Sequence, residues 1–350
     1  MLYRGPYQSH PAPAQLIAAN GQPSFGIFDQ SVADLNWPHL RHLNVMDQPR
    51  SYRAAQADFR QFQFVAIQGA DWILGVAIAK VRYVNTAFAY LYQRQQPCKV
   101  EEWLHPGSIG CALSPSPTLG CSRFGWRDAK IQLDLTSDGL RMQLNTAQLQ
   151  ADIDIKRENQ APIALCNPTG YQGLTYTEKN LALPVSGQLV DKTRQQAFDL
   201  TKALGGYDYS AGFMRRETSW RWACLQGVTA DGRRLAINLA AGVNETGLTE
   251  NALWLDGERH LLSPAQFRFQ RASASTTPGS VTWQLTTLAG ELELEFQSEF
   301  CRSERKNFAV LASNFRQYVG IYQGRLRLAS GEWVAIAPQL GLAEDHYAKW

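Results

Sequence analysis

The sequence lacks the short motifs that mark common catalytic, cofactor and metal sites. Its 350 residues contain no GxSxG, GxxxxGK[ST], GxGxxG or HExxH pattern, and its six cysteines include no CxxC pair. The hydrolase elbow, the phosphate-binding loop, the dinucleotide fingerprint and the zinc-protease helix are therefore excluded in their usual sequence forms. A zinc knuckle and a thioredoxin-type motif are excluded in the same way. We predict neither a cofactor nor a bound metal.

Long apolar runs and an excess of one charge are missing too. The longest apolar stretch, Trp72 to Ala79, is much shorter than a membrane span, and prolines interrupt the N-terminus where a secretory signal would be apolar. The 34 basic and 31 acidic residues are scattered and give a formal net charge of +3, which is not the pattern of a nucleic-acid-binding protein. We expect a cytoplasmic protein with reduced cysteines, no membrane span and no nucleic-acid partner.

The chain does contain many short apolar or alternating runs separated by turn residues. Ile153 and Ile155, for example, alternate with Asp152 and Asp154, as in a strand with one buried and one solvated face. Each half of the chain has about seven to nine such runs, near the roughly eight strands at which an antiparallel barrel closes. We predict an all-β protein made of two consecutive antiparallel β-barrels.

One segment near the middle of the chain has a helical pattern. Asp191 is placed to cap the run KTRQQAFDLTKAL, and Gly205-Gly206 is placed to end it. Three apolar residues of the run share one helical face. We predict a linker helix at 191–206 between two domains: 1–190, a barrel preceded by an irregular segment, and 207–350, a second barrel.

The most unusual stretch is Asp208–Val228, DYSAGFMRRETSWRWACLQGV. If a strand begins at Met214, its even positions place Arg216 on the same apolar face as Trp220 and Trp222. A guanidinium on that face needs a strong acceptor, because an unpaired buried charge is very costly. Arg216 therefore indicates either a structural ion pair or a binding site.

The acids best placed to pair with Arg216 are Asp208, at the turn that leads into the same strand, and Glu250, just before another apolar strand. One interpretation is a structural ion pair between either acid and the arginine. The other is a site in which burial raises the pKa of Asp208 or Glu250, so that the acid donates a proton while Arg216 holds the polar end of a ligand. Both interpretations stay open.

Three further polar residues are candidates for ligand contacts. Asn238 and Asn251 carry amides within apolar strands, so each either contacts a ligand or latches a barrel corner. His346 follows Glu344 and Asp345 near the C-terminus. It belongs either to a proton-transfer couple or to a terminal segment that docks onto its domain.

Several stretches of the chain resemble a known family: VRYVNTAFAYLYQR, CSRFGWRDAKIQLDL, DYSAGFMRRETSWRWA, TENALWLDG and LAEDHYAKW. From about Asn44 to Trp350 the chain resembles the largely bacterial domain-of-unknown-function 2804 family. Its layout is more distantly similar to the lipocalin-like two-barrel proteins, which include the carotenoid 1,2-hydratases, related pericyclases and a eukaryotic lipid-handling survival factor. This likeness implies lipocalin-like barrels, but it includes no shared catalytic motif, so no residue role is carried over.

These observations favour the binding of a hydrophobic small molecule, such as a lipid or an isoprenoid, in a cavity lined by Trp220 and Trp222. One alternative is a cofactor-free hydratase, isomerase or cyclase with Asp208 or Glu250 as general acid. A second alternative is a structural or interaction protein with filled barrels. A binding protein is expected to have an apolar cavity. An enzyme is expected to have a carboxylate that faces this cavity and has no charge partner. A filled barrel is expected to have no cavity.

Overall fold

The structure, a computed structural model, describes residues 8–81, 84–107, 110–243, 247–271, 281–308 and 311–349. Antiparallel strands make up nearly all of its regular structure, in keeping with the alternation of apolar and polar residues. The described residues contain two short helical segments, a 3-10 turn at Trp37–His39 and an α-helix at Tyr52–Gln56. The Ser51 side chain caps the α-helix by accepting a hydrogen bond from the Ala54 amide at 3.3 Å.

The first sheet contains fourteen strands. They are β1 Gly26–Phe28, β2 Phe59–Gln68, β3 Trp72–Lys80, β4 Val84–Gln93, β5 Lys99–Pro106, β6 Cys111–Ala112, β7 Gly120–Trp126, β8 Ala129–Thr136, β9 Gly139–Asn145, β10 Leu149–Lys156, β11 Ile163–Thr169, β12 Gly173–Asp191, β13 Gln196–Ala197 and β14 Leu204–Phe213. The main path has the order β5-β4-β3-β2-β14-β12-β10-β9-β8-β7-β6. Strands β11 and β13 pair with β12, and β1 pairs with β11.

The second sheet contains nine strands in the order β18-β17-β16-β15-β23-β22-β21-β20-β19. They are β15 Glu217–Val228, β16 Arg234–Ala241, β17 Ala252–Leu255, β18 Glu258–Leu261, β19 Ala265–Phe269, β20 Thr282–Thr287, β21 Leu292–Asn307, β22 Ala312–Arg327 and β23 Trp333–Lys349. Both sheets curl into half-barrels. The predicted all-β, two-barrel class is therefore confirmed.

The chain packs into two compact units whose boundary differs from the one expected. The first unit contains Ser9–Gly69 and Ile73–Arg215, and the second is built mainly from Arg216–Trp350. Strand β14 belongs to the first unit, where it pairs with β2 and β12. We expected residues 204–206 in the linker and residues 207–213 in the second domain, because the pairing partners of a strand are not visible in its own sequence.

The predicted linker helix at 191–206 is wrong. The Asp191 carboxylate accepts hydrogen bonds from the main-chain amides of Thr193 and Arg194, at 2.9 and 3.1 Å, and closes a tight turn. Gln195 then has a φ of 53°, a left-handed conformation that ends any right-handed helix. The residues of β13 pair back on β12. Strand pairing has therefore overridden the helical propensity of the segment.

The interior of the second sheet is largely filled with side chains. Ala223 and Leu225, at odd positions of β15, belong to this core. The even positions of β15 consequently point to the other side of the sheet. Four large aromatic side chains are buried in the core: Trp283, Phe296, Tyr318 and Tyr322.

Leu285 and Leu288 provide a matched test of this core. Leu285 in β20 is 0% exposed, whereas Leu288 in the turn after β20 is 62% exposed. We expect Leu285→Ala to lower the free energy of unfolding by about 2–5 kcal/mol, because it leaves a cavity among packed side chains. Leu288→Ala is expected to change it by less than about 0.5 kcal/mol. Urea unfolding followed by circular dichroism measures both, and equally small effects would show that this interior is loosely packed.

Candidate functional site

One face of the second sheet brings aromatic and polar side chains together. In the register of β15 with β23, Trp220 lies opposite His346 and Trp222 lies opposite Glu344. In the register of β22 with β23, Phe315 lies opposite His346. Alternate residues of a strand share a side of the sheet, so these residues form one surface. We call it the aromatic face, and its members are Trp220, Trp222, Phe315, Gln317, Glu344 and His346.

Glu344 is the central hydrogen-bond acceptor of the aromatic face. Its Oε1 accepts a hydrogen bond from Trp220 Nε1 at 2.7 Å, and its Oε2 accepts one from Gln317 Nε2 at 3.1 Å. The residue is buried. Both donors are neutral groups, and together they fix the orientation of the side chain. His346 Nδ1 lies 3.7 Å from Oε1 of this carboxylate.

His346 lies between two aromatic rings. Its ring centroid is 4.2 Å from that of Trp220 and 4.8 Å from that of Phe315. His346 Nε2 lies 3.2 Å from Ser313 Oγ, and His346 Nδ1 lies 3.7 Å from Glu344 Oε1. The side chains of Ser313, His346 and Glu344 therefore form a row on this side of the sheet.

Asn238 and Asn251 hold neighbouring segments of the second unit together. Trp222 Nε1 donates a hydrogen bond to Asn238 Oδ1 at 2.7 Å, and Asn238 Nδ2 donates one to the main-chain carbonyl of Glu250 at 2.8 Å. Asn251 accepts from the Ala240 amide at 2.7 Å and donates to the Ser263 carbonyl at 3.1 Å. In both residues the amide oxygen and the amide nitrogen are hydrogen-bonded within the protein.

Arg216 does not have the place that the sequence analysis expected. It lies in the connection between β14 and β15, outside both strands, and it is exposed. The strand expected to begin at Met214 begins only at Glu217, because the chain leaves the first sheet at Phe213 before it enters the second. The interpretation of Arg216 as a buried guanidinium on an apolar strand face is therefore wrong.

The two candidate acids lie in different units. Asp208 lies in β14 of the first unit, is buried, and forms an ion pair with Lys179, the residue opposite it in β12. Glu250 lies before β17 in the second unit and is also buried, and its main-chain carbonyl accepts the hydrogen bond from Asn238. Because Lys179 provides a charge partner, Asp208 does not meet the criterion that we set for a free general acid.

Glu178 is a buried acid that the sequence analysis did not single out. It is 2% exposed and accepts hydrogen bonds from Tyr176 Oη at 2.7 Å and Ser31 Oγ at 2.9 Å. Burial raises the pKa of Glu178, although the charge of Arg157 and these two hydrogen bonds oppose the rise. The sequence feature that could have indicated this buried acid is a single glutamate in the otherwise uncharged strand pattern GLTYTE.

The cysteines carry no sign of redox or metal chemistry. All six thiols are free. Burial raises the pKa of Cys98 to about 12, and burial raises the pKa of Cys301 to about 11, so these thiols stay protonated at neutral pH. In the part of the chain that the structure describes, no group of three or more His, Cys, Asp or Glu side chains could hold a metal ion. The same part contains no helix with the length and apolarity of a membrane span.

Solved structures of similar fold define the class of this protein. Kievitone hydratase from Nectria haematococca matches with a TM-score of 0.51 and 14% identity over 83% of this chain and 89% of that chain. The structure of CghA with Sch210972 matches with a TM-score of 0.55 and 10% identity over 97% of each chain. At such low identity the likeness shows the fold alone. The protein has a lipocalin-like two-barrel fold.

The sequence itself identifies the family. Residues 8–350 match the family described as Domain of unknown function (DUF2804). The chain belongs to the DUF2804 family, which confirms the resemblance seen in its tryptophan-rich motifs. A comparison with curated proteins found no match.

The pH dependence of stability tests the burial of Glu178. Its pKa in the folded chain is raised above the ordinary value of 4.5. Below that ordinary value the acid is protonated in both the folded and the unfolded state. As the pH rises through the raised pKa, stability is lost, because the unfolded state ionises more readily. We expect the stability of Glu178→Gln relative to the unsubstituted chain to increase as the pH rises above the ordinary pKa of 4.5, by about 1.4 kcal/mol for each tenfold difference in proton affinity between the two states.

Urea unfolding at several pH values measures this gain. Glu102→Gln is the control, because Glu102 is an exposed glutamate of the same unit. A difference between Glu178→Gln and the unsubstituted chain that stays constant with pH would contradict the raised pKa.

Proposed function

We propose that this protein binds a hydrophobic small molecule, of the lipid or isoprenoid-like class, on the aromatic face of the second sheet. The observation that carries the proposal is the stack of Trp220, His346 and Phe315 beside the carboxylate of Glu344. Large rings offer apolar contact area at a small cost in conformational entropy. A few fixed polar groups among such rings are typical of sites that orient an apolar ligand.

The burial of the individual side chains supports this assignment. Trp220 and His346 are only partly buried, so part of each ring remains accessible. Trp222 is buried and its indole is held by Asn238, so it acts as a fixed wall. A carboxylate has about four lone-pair sites, so Glu344 can accept a further hydrogen bond from a ligand hydroxyl.

The fold is compatible with this kind of ligand. One similar structure is that of a hydratase of kievitone, and the other was solved with the compound Sch210972. The comparison is an analogy between folds, and the residues of the aromatic face carry the argument for this chain.

Trp220 and Trp333 allow a matched test of ligand binding. Both are partly buried tryptophans of the second sheet, but Trp333 covers Arg325, with 4.2 Å from the guanidinium carbon to the ring centroid, and lies outside the aromatic face. We expect the protein to retain an apolar compound through purification. Trp220→Leu should reduce that retention at least about tenfold, because loss of ring contact and of the hydrogen bond to Glu344 costs more than about 1.4 kcal/mol.

Native mass spectrometry followed by organic extraction measures the retained compound. Trp333→Leu should retain as much of it as the unsubstituted chain. Equal loss from the two variants, or full retention by Trp220→Leu, would contradict binding at the aromatic face.

The row of Ser313, His346 and Glu344 favours a second function, which is acid–base catalysis on the bound molecule. In a hydration, protonated His346 would donate its proton to one carbon of a double bond, and water would attack the other carbon. The proton released by that water would return to His346, and Glu344 would stabilise the imidazolium. This proposal places the general acid at His346 instead of Asp208 or Glu250.

Deuterium exchange separates catalysis from binding. The compound extracted from the protein is incubated with fresh protein in D2O, and its mass is followed with time. We expect His346→Gln to slow deuterium incorporation by about a hundredfold or more while still retaining the compound. Incorporation at an equal rate in His346→Gln would exclude His346 as the acid. No incorporation with the unsubstituted chain would leave binding as the function.

A further inference from the structure

The amide of Gln317 on the aromatic face uses only one of its two polar atoms in a hydrogen bond. Gln317 lies opposite Glu344 in the register of β22 with β23 and is 3% exposed. Its Nε2 donates to Glu344 Oε2 at 3.1 Å, whereas its Oε1 is buried and has no hydrogen-bond partner among the residues that the structure describes. A buried acceptor without a partner is rare, because it loses its hydrogen bonds to water and gains none in return.

The contact with Glu344 fixes which way this amide points. Gln317 Nε2 and Trp220 Nε1 each use one oxygen of Glu344 as an acceptor. Turning the amide over would place its oxygen against an oxygen of Glu344, where neither atom donates. Gln317 Oε1 is therefore held as an acceptor on the side of the amide away from that contact.

A second polar atom beside Glu344 also lacks a hydrogen bond. His346 Nδ1 is buried, and its distance of 3.7 Å from Glu344 Oε1 is too long for one. His346 follows Glu344 by two residues in β23, so it is a diagonal neighbour of Gln317 on the same side of the sheet. Two polar atoms without hydrogen bonds, Gln317 Oε1 and His346 Nδ1, thus lie next to the same carboxylate.

A hydroxyl group meets the needs of both atoms. It has one donor and two acceptor lone pairs. It can therefore donate its proton to Gln317 Oε1 and accept a hydrogen bond from His346 Nδ1 when that nitrogen carries a proton. Ethers, esters, ketones and carboxylates have acceptors only, so they would leave Gln317 Oε1 without a partner.

A positive charge beside Gln317 favours a neutral donor over an ammonium group. Arg302 lies opposite Gln317 in the register of β21 with β22 and is 6% exposed. Its guanidinium carbon lies 4.7 Å from the centroid of the Phe315 ring. A ligand ammonium would meet the charge of this arginine, and the arginine already makes the cation–π contact that the Phe315 ring offers.

We propose that the ligand of the aromatic face is an alcohol, and that Gln317 selects it over analogues that have no hydrogen-bond donor. The hydroxyl would donate to Gln317 Oε1 beside Glu344, and the apolar body would lie against the rings of Trp220 and Phe315. This inference rests on the proposed binding function and names the chemical class of its ligand. Gln317 is then a specificity-determining residue.

Geraniol and geranyl methyl ether are matched probes, because they share an isoprenoid chain and only geraniol has a hydrogen-bond donor. Isothermal titration calorimetry should show that geraniol binds at least about tenfold more tightly, since the ether leaves a buried acceptor without a partner. Gln317→Met keeps the length of the side chain and removes the acceptor. It should reduce the difference between the two probes to less than about threefold.

Two control variants locate the effect. Gln323 lies on the same strand and donates to Glu295 at 3.1 Å, but it is exposed. Gln323→Met should therefore keep the full preference for geraniol. Trp220→Leu should weaken the binding of both probes by a similar factor, because the Trp220 ring contacts the chain that they share.

The outcomes separate this inference from the proposed function. Equal affinity of the unsubstituted chain for the two probes, or a preference that persists in Gln317→Met, would overturn the selection of an alcohol by Gln317. If Trp220→Leu still weakens both probes, binding at the aromatic face stands. Tighter binding of geranylamine than of geraniol would overturn the alcohol in favour of a cation. Failure of both probes to bind, or binding that Trp220→Leu leaves unchanged, would overturn the proposed function together with this inference.

Discussion

The pairing of β15 with β23 is the constraint on which the second unit depends. Each strand sends alternate side chains to opposite sides of the sheet, so Ala223 and Ala343 enter the core while Trp220 and His346 form the aromatic face. A slip of one residue would exchange the two sides and expose the apolar core. The packing of the core therefore also fixes which polar groups meet on the other side.

Three consecutive residues of β23 show how one register produces two chemical environments. Glu344 and His346 lie on the aromatic face, where the carboxylate accepts hydrogen bonds from the neutral side chains of Trp220 and Gln317. Asp345 points the other way and is surrounded by arginines. Hydrogen bonds from Arg271 and the nearby positive charges lower the pKa of Asp345, against the effect of burial.

Much of the candidate site could be predicted from the sequence, and the failures have a common cause. Trp220 and Trp222 share a face because alternation along one strand is local information. Arg216 was misplaced because the chain changes sheets just before β15, and nothing in the local pattern marks that change. Glu178 was missed because its burial and its bonds to Tyr176 and Ser31 depend on residues distant in the chain.

The sequence by itself determined the strands, the all-β class and the two-barrel arrangement, because a period of two residues and short turn signals are properties of neighbouring residues. Only the tertiary structure decided that 191–206 turns back on β12, that Lys179 pairs with Asp208, and that the arginines gather around Asp345. Those outcomes depend on which strands lie side by side. Strand neighbours are set by long-range pairing and burial, which no local stretch of sequence encodes.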